Sequence, residues 1–138
     1  MGQTIEMVTV KNFGDILDVK KGLLKENQIR SEEVDAIVDT GAAYLSLSPN
    51  TIEKLGLLHT ETLPVRTANG NVKRRIFAIA EITIQGRTIR MEVMENDATT
   101  PALIGYLILE AMDYVVCPQS RKIIPNPEHE GKWIMDLF

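Results

Sequence analysis

The chain has 138 residues, of which 44% are hydrophobic and 25% are charged, and its formal net charge is −4. This length favours a single domain over residues 1–138 that can bury a core of its own. Nucleic acid is not an expected partner, because neutralising phosphate groups requires a clustered basic surface that a mildly acidic chain is poorly placed to offer.

The N-terminal part of the chain predicts extended structure that leads to an acidic side chain. Met1 begins neither a basic segment nor an apolar block, so we expect no secretory signal. Strands of a β meander are predicted over residues 4–10, 16–24 and 34–38, each bounded by Asn, Gly, Asp or charged residues. The last of them runs apolar up to Asp39-Thr40-Gly41-Ala42, which places a carboxylate at the end of a buried strand. An Asp that caps a turn is the alternative interpretation.

A short helix and a long hairpin are predicted next. Ser48 is a typical helix N-cap, Pro49 suits the first helical position, and Gly56 suits the helix end. Two extended segments within residues 63–80 flank Asn69-Gly70, a dipeptide that accepts positive φ at both central positions of a tight turn. The neighbouring basic run, Lys73-Arg74-Arg75, is interpreted as a solvated stretch of this hairpin.

The C-terminal half predicts further strands and one helix. Residues 76–85 and 87–95 alternate apolar and polar residues around Gln85-Gly86 and are predicted to pair. The elements expected after them are a loop over 96–100, a compact strand over 102–105 that ends in Gly, a short helix over 106–112, and paired strands over 113–117 and 121–124.

The end of the chain offers little chemistry. Cys117 is the sole cysteine, so no internal disulfide can form, and we expect a passive thiol. Glu128-His129-Glu130 has the residue types of a metal site but no second ligand cluster, so we expect no metal and no cofactor. The tail over residues 126–138 ends in an apolar segment, which we expect to lie in an interface between chains, and the strand over 113–117 is the alternative candidate for that interface. A lone cysteine and the lack of a bilayer-length apolar stretch predict a cytoplasmic protein that does not enter a membrane.

Two motifs together resemble a known family. Asp39-Thr40-Gly41-Ala42 resembles the active-site signature of retropepsin-like (retroviral-type) aspartic proteases, and Leu103-Ile104-Gly105 resembles the second apolar strand of that family. The order of parts over roughly residues 33–116 is also similar, and the cellular or prokaryotic branch fits best. The resemblance implies an all-β, single-lobe, β-barrel-like fold with a short helix after the catalytic loop and a short C-terminal helix.

The resemblance also implies roles for particular residues. Asp39, Thr40 and Gly41 would form the catalytic loop, in which Asp39 acts on water, Thr40 joins the loops of two chains, and Gly41 offers its amide to the carboxylate. The supporting residues would be Ala42, Leu103, Ile104 and Gly105, and the flap over the substrate would contain Ala68, Asn69, Gly70 and Asn71. Ala43 and Tyr106 stand where viral members often have an Asp–Arg ion pair, which leaves the chemistry of the substrate pockets open.

One catalytic Asp per chain predicts a dimer. Peptide hydrolysis by this route needs one carboxylate to take a proton from water and a second to donate one, and this chain supplies a single Asp-Thr-Gly. The simplest solution is a C2 homodimer with paired Asp39 residues that cleaves polypeptide substrates as an aspartic endopeptidase. Two alternatives remain, a non-catalytic dimerisation or peptide-binding module on the same fold, and a processing domain cut from a larger precursor.

Overall fold

Six strands close into a barrel in the computed structural model, which describes residues 3–134. The strands in chain order are β1 (Ile5–Asn12), β2 (Ser31–Val38), β3 (Leu45–Leu47), β4 (Leu58–Thr67), β5 (Gly70–Ile84), β6 (Arg87–Glu95), β7 (Ala102–Ile104), β8 (Tyr114–Cys117) and β9 (Lys122–Pro125). The barrel order is β1-β2-β7-β3-β6-β5, and β1 pairs with β5 to close it. Strand β4 extends the sheet beyond β5, while β8 and β9 form a separate antiparallel pair.

Three short helices accompany the strands, namely α1 (Phe13–Lys20), α2 (Pro49–Leu55) and α3 (Tyr106–Met112). The core consists of aliphatic side chains from alternate positions of the barrel strands, such as Val8, Val10, Ile82 and Ile84, all fully buried. The predicted all-β, barrel-like fold is therefore confirmed. No helix within residues 3–134 is long and apolar enough to cross a membrane.

The prediction of a strand over residues 16–24 was wrong, because α1 covers most of that range. Asn12, at the end of β1, caps the helix by accepting a hydrogen bond from Asp15 N (3.0 Å). Asp15 is buried and accepts two side-chain hydrogen bonds from Arg30, both 2.9 Å. The chain therefore does not open as a simple meander, since α1 and a 3₁₀ turn at Glu26–Gln28 separate β1 from β2.

The predicted start and end of α2 are confirmed. The Ser48 side chain accepts a hydrogen bond from Thr51 N (3.2 Å), Pro49 is the first helical residue, and Gly56 ends the helix with φ +65°. The Asn12 side chain donates to Leu55 O (2.8 Å), so the end of β1 is tied to the end of this helix.

Both predicted hairpins form, although one turn differs from expectation. Gln85 and Gly86 have positive φ values of 48° and 83°, as a tight turn between β5 and β6 requires. Between β4 and β5, however, Thr67 pairs with Gly70, so Ala68 and Asn69 are the central residues. Of these turn residues Gly70 alone has positive φ (111°), and the Thr67 hydroxyl holds the turn by donating to Gly70 O (2.7 Å) and accepting from Asn69 N (3.2 Å).

The C-terminal elements contact one another and helix α3. Strands β8 and β9 pair as expected, and α3 buries Ile108, Leu109 and Met112. After a 3₁₀ turn at Pro127–His129, the Trp133 indole donates to Ala111 O (3.0 Å) of α3. The prediction of an interface tail falls partly on residues 135–138, which lie outside the described residues.

Candidate active site

The loop that carries Asp39 joins β2 to β3, and β7 runs between those two strands. Strand β7 is parallel to β2, with Val38 opposite Ile104, and antiparallel to β3, with Leu45 also opposite Ile104. The Asp39 amide continues the β2–β7 pairing by donating to Ile104 O (2.9 Å). Pairing of β7 with both β2 and β3 therefore fixes the position of the backbone at Asp39.

The loop orients the Asp39 carboxylate by backbone amides. Gly41 N donates to Asp39 Oδ1 (2.9 Å), and Ala42 N donates to Asp39 O (3.0 Å). Asp39, Thr40 and Gly41 are all exposed, whereas Ala42 is half-buried. Among the described residues, Asp39 Oδ2 has no hydrogen-bond partner. The carboxylate is thus held in one orientation while one oxygen faces solvent.

Gly105 permits the close approach of β7 to the Asp39 loop. A Cβ atom at Gly105 would lie 2.3 Å from the Ala43 carbonyl carbon and 2.5 Å from Tyr44 O, distances that no side chain tolerates. Immediately after it, Tyr106 N donates to Ala42 O (2.8 Å) and Leu107 N donates to Ala43 O (3.1 Å). The start of α3 is therefore joined to the loop by two backbone hydrogen bonds.

The residues predicted to form a flap lie at the far end of the β4–β5 hairpin. Ala68, Asn69, Gly70 and Asn71 are all exposed, and no hydrogen bond among the described residues joins them to the loop at residues 39–44. One chain therefore brings together the Asp39 loop and Leu103-Ile104-Gly105, while the hairpin tip stands apart from both.

A continuous face of the sheet connects the hairpin to the Asp39 loop. Cross-strand partners point to the same side of a sheet, and the register successively joins Ile76 to Met94, Met94 to Ser46, Ser46 to Leu103, and Leu103 to Ile37. Ile37 lies two positions before Asp39, which directly follows the end of β2. We call these five residues the groove face. Of these five residues, the sequence predicts a site role for Leu103 only, as support for the Asp39 loop, because the register between distant strands leaves no local signal.

Neither of two surface cavities is lined by Asp39-Thr40-Gly41. A cavity of about 380 Å³ lies between α2 and the base of the hairpin, beside Phe77 and Arg75, and another of about 680 Å³ lies beside α3 and His129. Within residues 3–134 no group of three His, Cys, Asp or Glu side chains could hold a metal ion. Asp39 lines neither cavity and is exposed in the single chain.

This arrangement, an Asp loop closed by a second strand and a glycine, is typical of aspartic proteases that carry one barrel per chain. The family model described as "gag-polyprotein putative aspartyl protease" matches residues 26–111, well over half of the chain. The chain belongs to this retropepsin-like aspartyl protease family.

Among solved structures, the chain is similar to EIAV protease complexed with the inhibitor HBY-793. The TM-score is 0.55 at 15% sequence identity, and the match covers 79% of this chain and 86% of the viral chain. At this identity the similarity shows a shared fold. No curated protein sequence matches the chain.

Proposed function

We propose that the protein is an aspartic endopeptidase whose site is completed by a second copy of the chain. The observation that carries the proposal is the Asp39 carboxylate, oriented by Gly41 N at 2.9 Å yet exposed in the single chain. A two-fold axis beside Asp39 would bring two such carboxylates together and cover both. The family membership of the chain supports the same assignment.

In the proposed dimer, the two Asp39 residues share one proton, since two adjacent carboxylates do not both ionise readily; paired carboxylates of aspartic proteases are the standard example of this behaviour. The ionised carboxylate takes a proton from a water molecule as that water attacks the peptide carbonyl, and the protonated one donates to the carbonyl oxygen. Collapse of the resulting diol breaks the C–N bond, with a proton passing to the leaving amine. Identical residues thus supply both the base and the acid.

The rest of the chain fits this mechanism. Thr40 is exposed beside Asp39 and available to hydrogen-bond across the axis. Gly105 and the backbone hydrogen bonds to Ala42 and Ala43 keep the loop rigid. The β4–β5 hairpin, including Ala68, Asn69, Gly70 and Asn71, would close over an extended polypeptide and exclude water. No cofactor or metal has a part in these steps.

The first test is the isosteric change Asp39→Asn, assayed on an unfolded, casein-like protein at mildly acidic pH. Hydrolysis should be abolished while thermal unfolding stays nearly unchanged, because Asn keeps the shape but cannot exchange the proton. Asp35→Asn is the matched control, since Asp35 is an exposed residue of β2, the strand that leads to Asp39. Turnover retained by Asp39→Asn would refute the assignment, and a wild-type chain that binds but never cleaves peptides would indicate a binding module.

The second test concerns the shared site. Below the dimer dissociation constant, initial rates should approach a second-order dependence on protein concentration. Excess Asp39→Asn chain mixed with wild type should inhibit hydrolysis, because each mixed dimer retains a single Asp39. Full activity of a chain that sediments as a monomer would contradict the half-site argument.

A further inference from the structure

The β4–β5 hairpin has two chemically different faces. Residues that alternate along both strands are half-buried or buried on one side, which we call the inner face: Leu63, Val65, Val72, Arg74 and Ile76. The register places Leu63 opposite Arg74 and Val65 opposite Val72, so these side chains share one side of the hairpin. The positions between them, including Pro64, Lys73 and Arg75, are exposed. The same register places the exposed Glu61 opposite Ile76, so the charged residues of the inner face are Arg74 and Glu61, and the side chains between them are apolar.

The inner face continues into the groove face that leads to Asp39. Ile76 belongs to both, because it follows Arg74 at the next inward position of β5 and stands opposite Met94 of β6. No irregularity interrupts the β5 pairing between Arg74 and Ile76, so alternation keeps the two side chains on one side. Arg74 thus faces the side of the sheet where a polypeptide bound at Asp39 would lie.

The Arg74 guanidinium makes one long ion pair and no hydrogen bond among the described residues. Only 25% of the side chain is exposed, and its one ionic partner among the described residues is Asp97, with Nη2 to Oδ2 at 3.8 Å. That carboxylate already accepts from the amides and hydroxyls of Thr99 and Thr100, which lower the pKa of Asp97 to about 2. No hydrogen bond to the five guanidinium N–H donors is made within residues 3–134.

The neighbouring cations are not equivalent to Arg74. Arg75 points to the opposite side, where it donates two hydrogen bonds to Glu95 (2.9 and 2.6 Å) and lies over the Phe77 ring at 5.2 Å. Lys73 is exposed on the outer face. Arg74 is consequently the cation of this basic run that is both directed to the groove side and short of hydrogen-bond partners.

We propose that Arg74 makes the protease selective for polypeptides with an acidic side chain, Asp or Glu, near the scissile bond. A planar guanidinium with free donors matches a carboxylate with two parallel hydrogen bonds, and its apolar surroundings strengthen the attraction. The inference rests on the proposed function and refines it. In a C2 dimer each chain contributes one Arg74, so an acidic residue should be favoured on both sides of the bond, at symmetric positions.

The test is a set of peptides in which Glu or Gln is placed at each position around a cleaved bond. Wild type should cleave the Glu form of one symmetric pair of positions about tenfold faster in kcat/KM than the Gln form, the factor expected for a charge-assisted hydrogen bond. Arg74→Gln should remove the difference in kcat/KM between Glu and Gln peptides. Arg74→Lys should keep part of that difference, since Lys retains the charge but cannot donate two parallel hydrogen bonds. Lys73→Gln, the same charge change on the outer face, should cleave like wild type.

Three results would overturn the inference: no Glu preference in wild type, equal loss of preference in Lys73→Gln, or an Arg74→Gln variant that slows Glu and Gln peptides alike. The last result would mean that Arg74 stabilises the hairpin and does not bind the acidic side chain of the substrate. A separate measurement covers failure of the proposed function. Anisotropy of labelled Glu and Gln peptides bound to the Asp39→Asn chain reports selectivity without cleavage, so an inactive wild type refutes the peptidase alone, and equal binding of both peptides refutes the role of Arg74.

Discussion

Replacing Gly105 by Ala tests how the Asp39 loop is held. The new Cβ would lie 2.3 Å from the Ala43 carbonyl carbon, 2.4 Å from Ala43 O and 2.5 Å from Tyr44 O, and all three are backbone atoms. Because backbone cannot rotate away as a side chain can, β7 and the loop must separate. Separation strains or breaks the hydrogen bonds from Tyr106 N to Ala42 O (2.8 Å) and from Leu107 N to Ala43 O (3.1 Å).

The expected cost of Gly105→Ala follows from these contacts. Overpacking costs about 1–3 kcal/mol, and two lost hydrogen bonds add about 1 kcal/mol each, so the free energy of unfolding should fall by about 3–5 kcal/mol. That is a large share of the roughly 5–15 kcal/mol available to a domain. At roughly 3 °C per kcal/mol, the unfolding midpoint should fall by roughly 10–15 °C.

Thermal unfolding followed by circular dichroism measures this effect, and Gly86→Ala is the matched control. Gly86 has φ +83°, but a Cβ there meets nothing within 4 Å, so this variant incurs only the backbone strain of roughly 1–2 kcal/mol. If Gly105→Ala unfolds at the same temperature as Gly86→Ala, the two backbones are not in contact and the account of the site is incorrect. Hydrolysis should also fall in Gly105→Ala, at temperatures where the variant is still folded.

Three further predictions concern acidity and the C-terminal segment. Ala42→Ser adds a hydroxyl beside the proposed dyad that donates to the ionised carboxylate, so the acidic limb of the pH–rate profile should move to lower pH; an unmoved limb would place residue 42 away from the dyad. Hydrogen bonds from Arg30 lower the pKa of Asp15, so the stability they give is present above about pH 4 and lost as the pH falls through the folded-state pKa. Urea unfolding should therefore show a smaller loss of stability between pH 7 and pH 3 in Asp15→Asn than in wild type. Ending the chain after Pro127 removes the hydrogen bond from Trp133 to α3, and the unfolding midpoint should fall; an unchanged midpoint would show that the segment adds no stability.

Elements whose signals are local could be predicted from the sequence. The start and end of α2 depend on Ser48, Pro49 and Gly56, which act on the backbone within one turn of themselves. Helix α1 was missed because its Val and Ile residues favour strands, while its stabilising partners are distant. Its cap residue, Asn12, also bonds to Leu55 O, and Asp15 bonds to Arg30. Helix formation there depends on contacts that only the folded chain provides.

Some residues of the candidate site likewise have a local sequence signal, and others do not. Asp39-Thr40-Gly41 and Leu103-Ile104-Gly105 could be proposed because each is a run of consecutive residues that resembles a motif of the retropepsin-like family. The groove face could not be found, since it depends on the register of five strands that are far apart in the chain. The flap role of the β4–β5 hairpin stays a prediction.

In the basic run on β5, adjacent charged side chains lie on opposite faces of the strand and so have different surroundings. The sequence predicts that the three like charges of Lys73-Arg74-Arg75 form a solvated stretch. Lys73 and Arg75 are exposed as expected, whereas Arg74 is half-buried. Successive side chains of a strand point to opposite faces, so the run is divided: Lys73 and Arg75 face outward, and Arg74 faces the groove side. Arg75 then finds Glu95, while Arg74 reaches Asp97 only at 3.8 Å. The Arg74 side chain is 25% exposed, and its guanidinium makes no hydrogen bond within residues 3–134, which leaves its donors open to solvent. The carboxylate of a bound polypeptide would supply that missing partner.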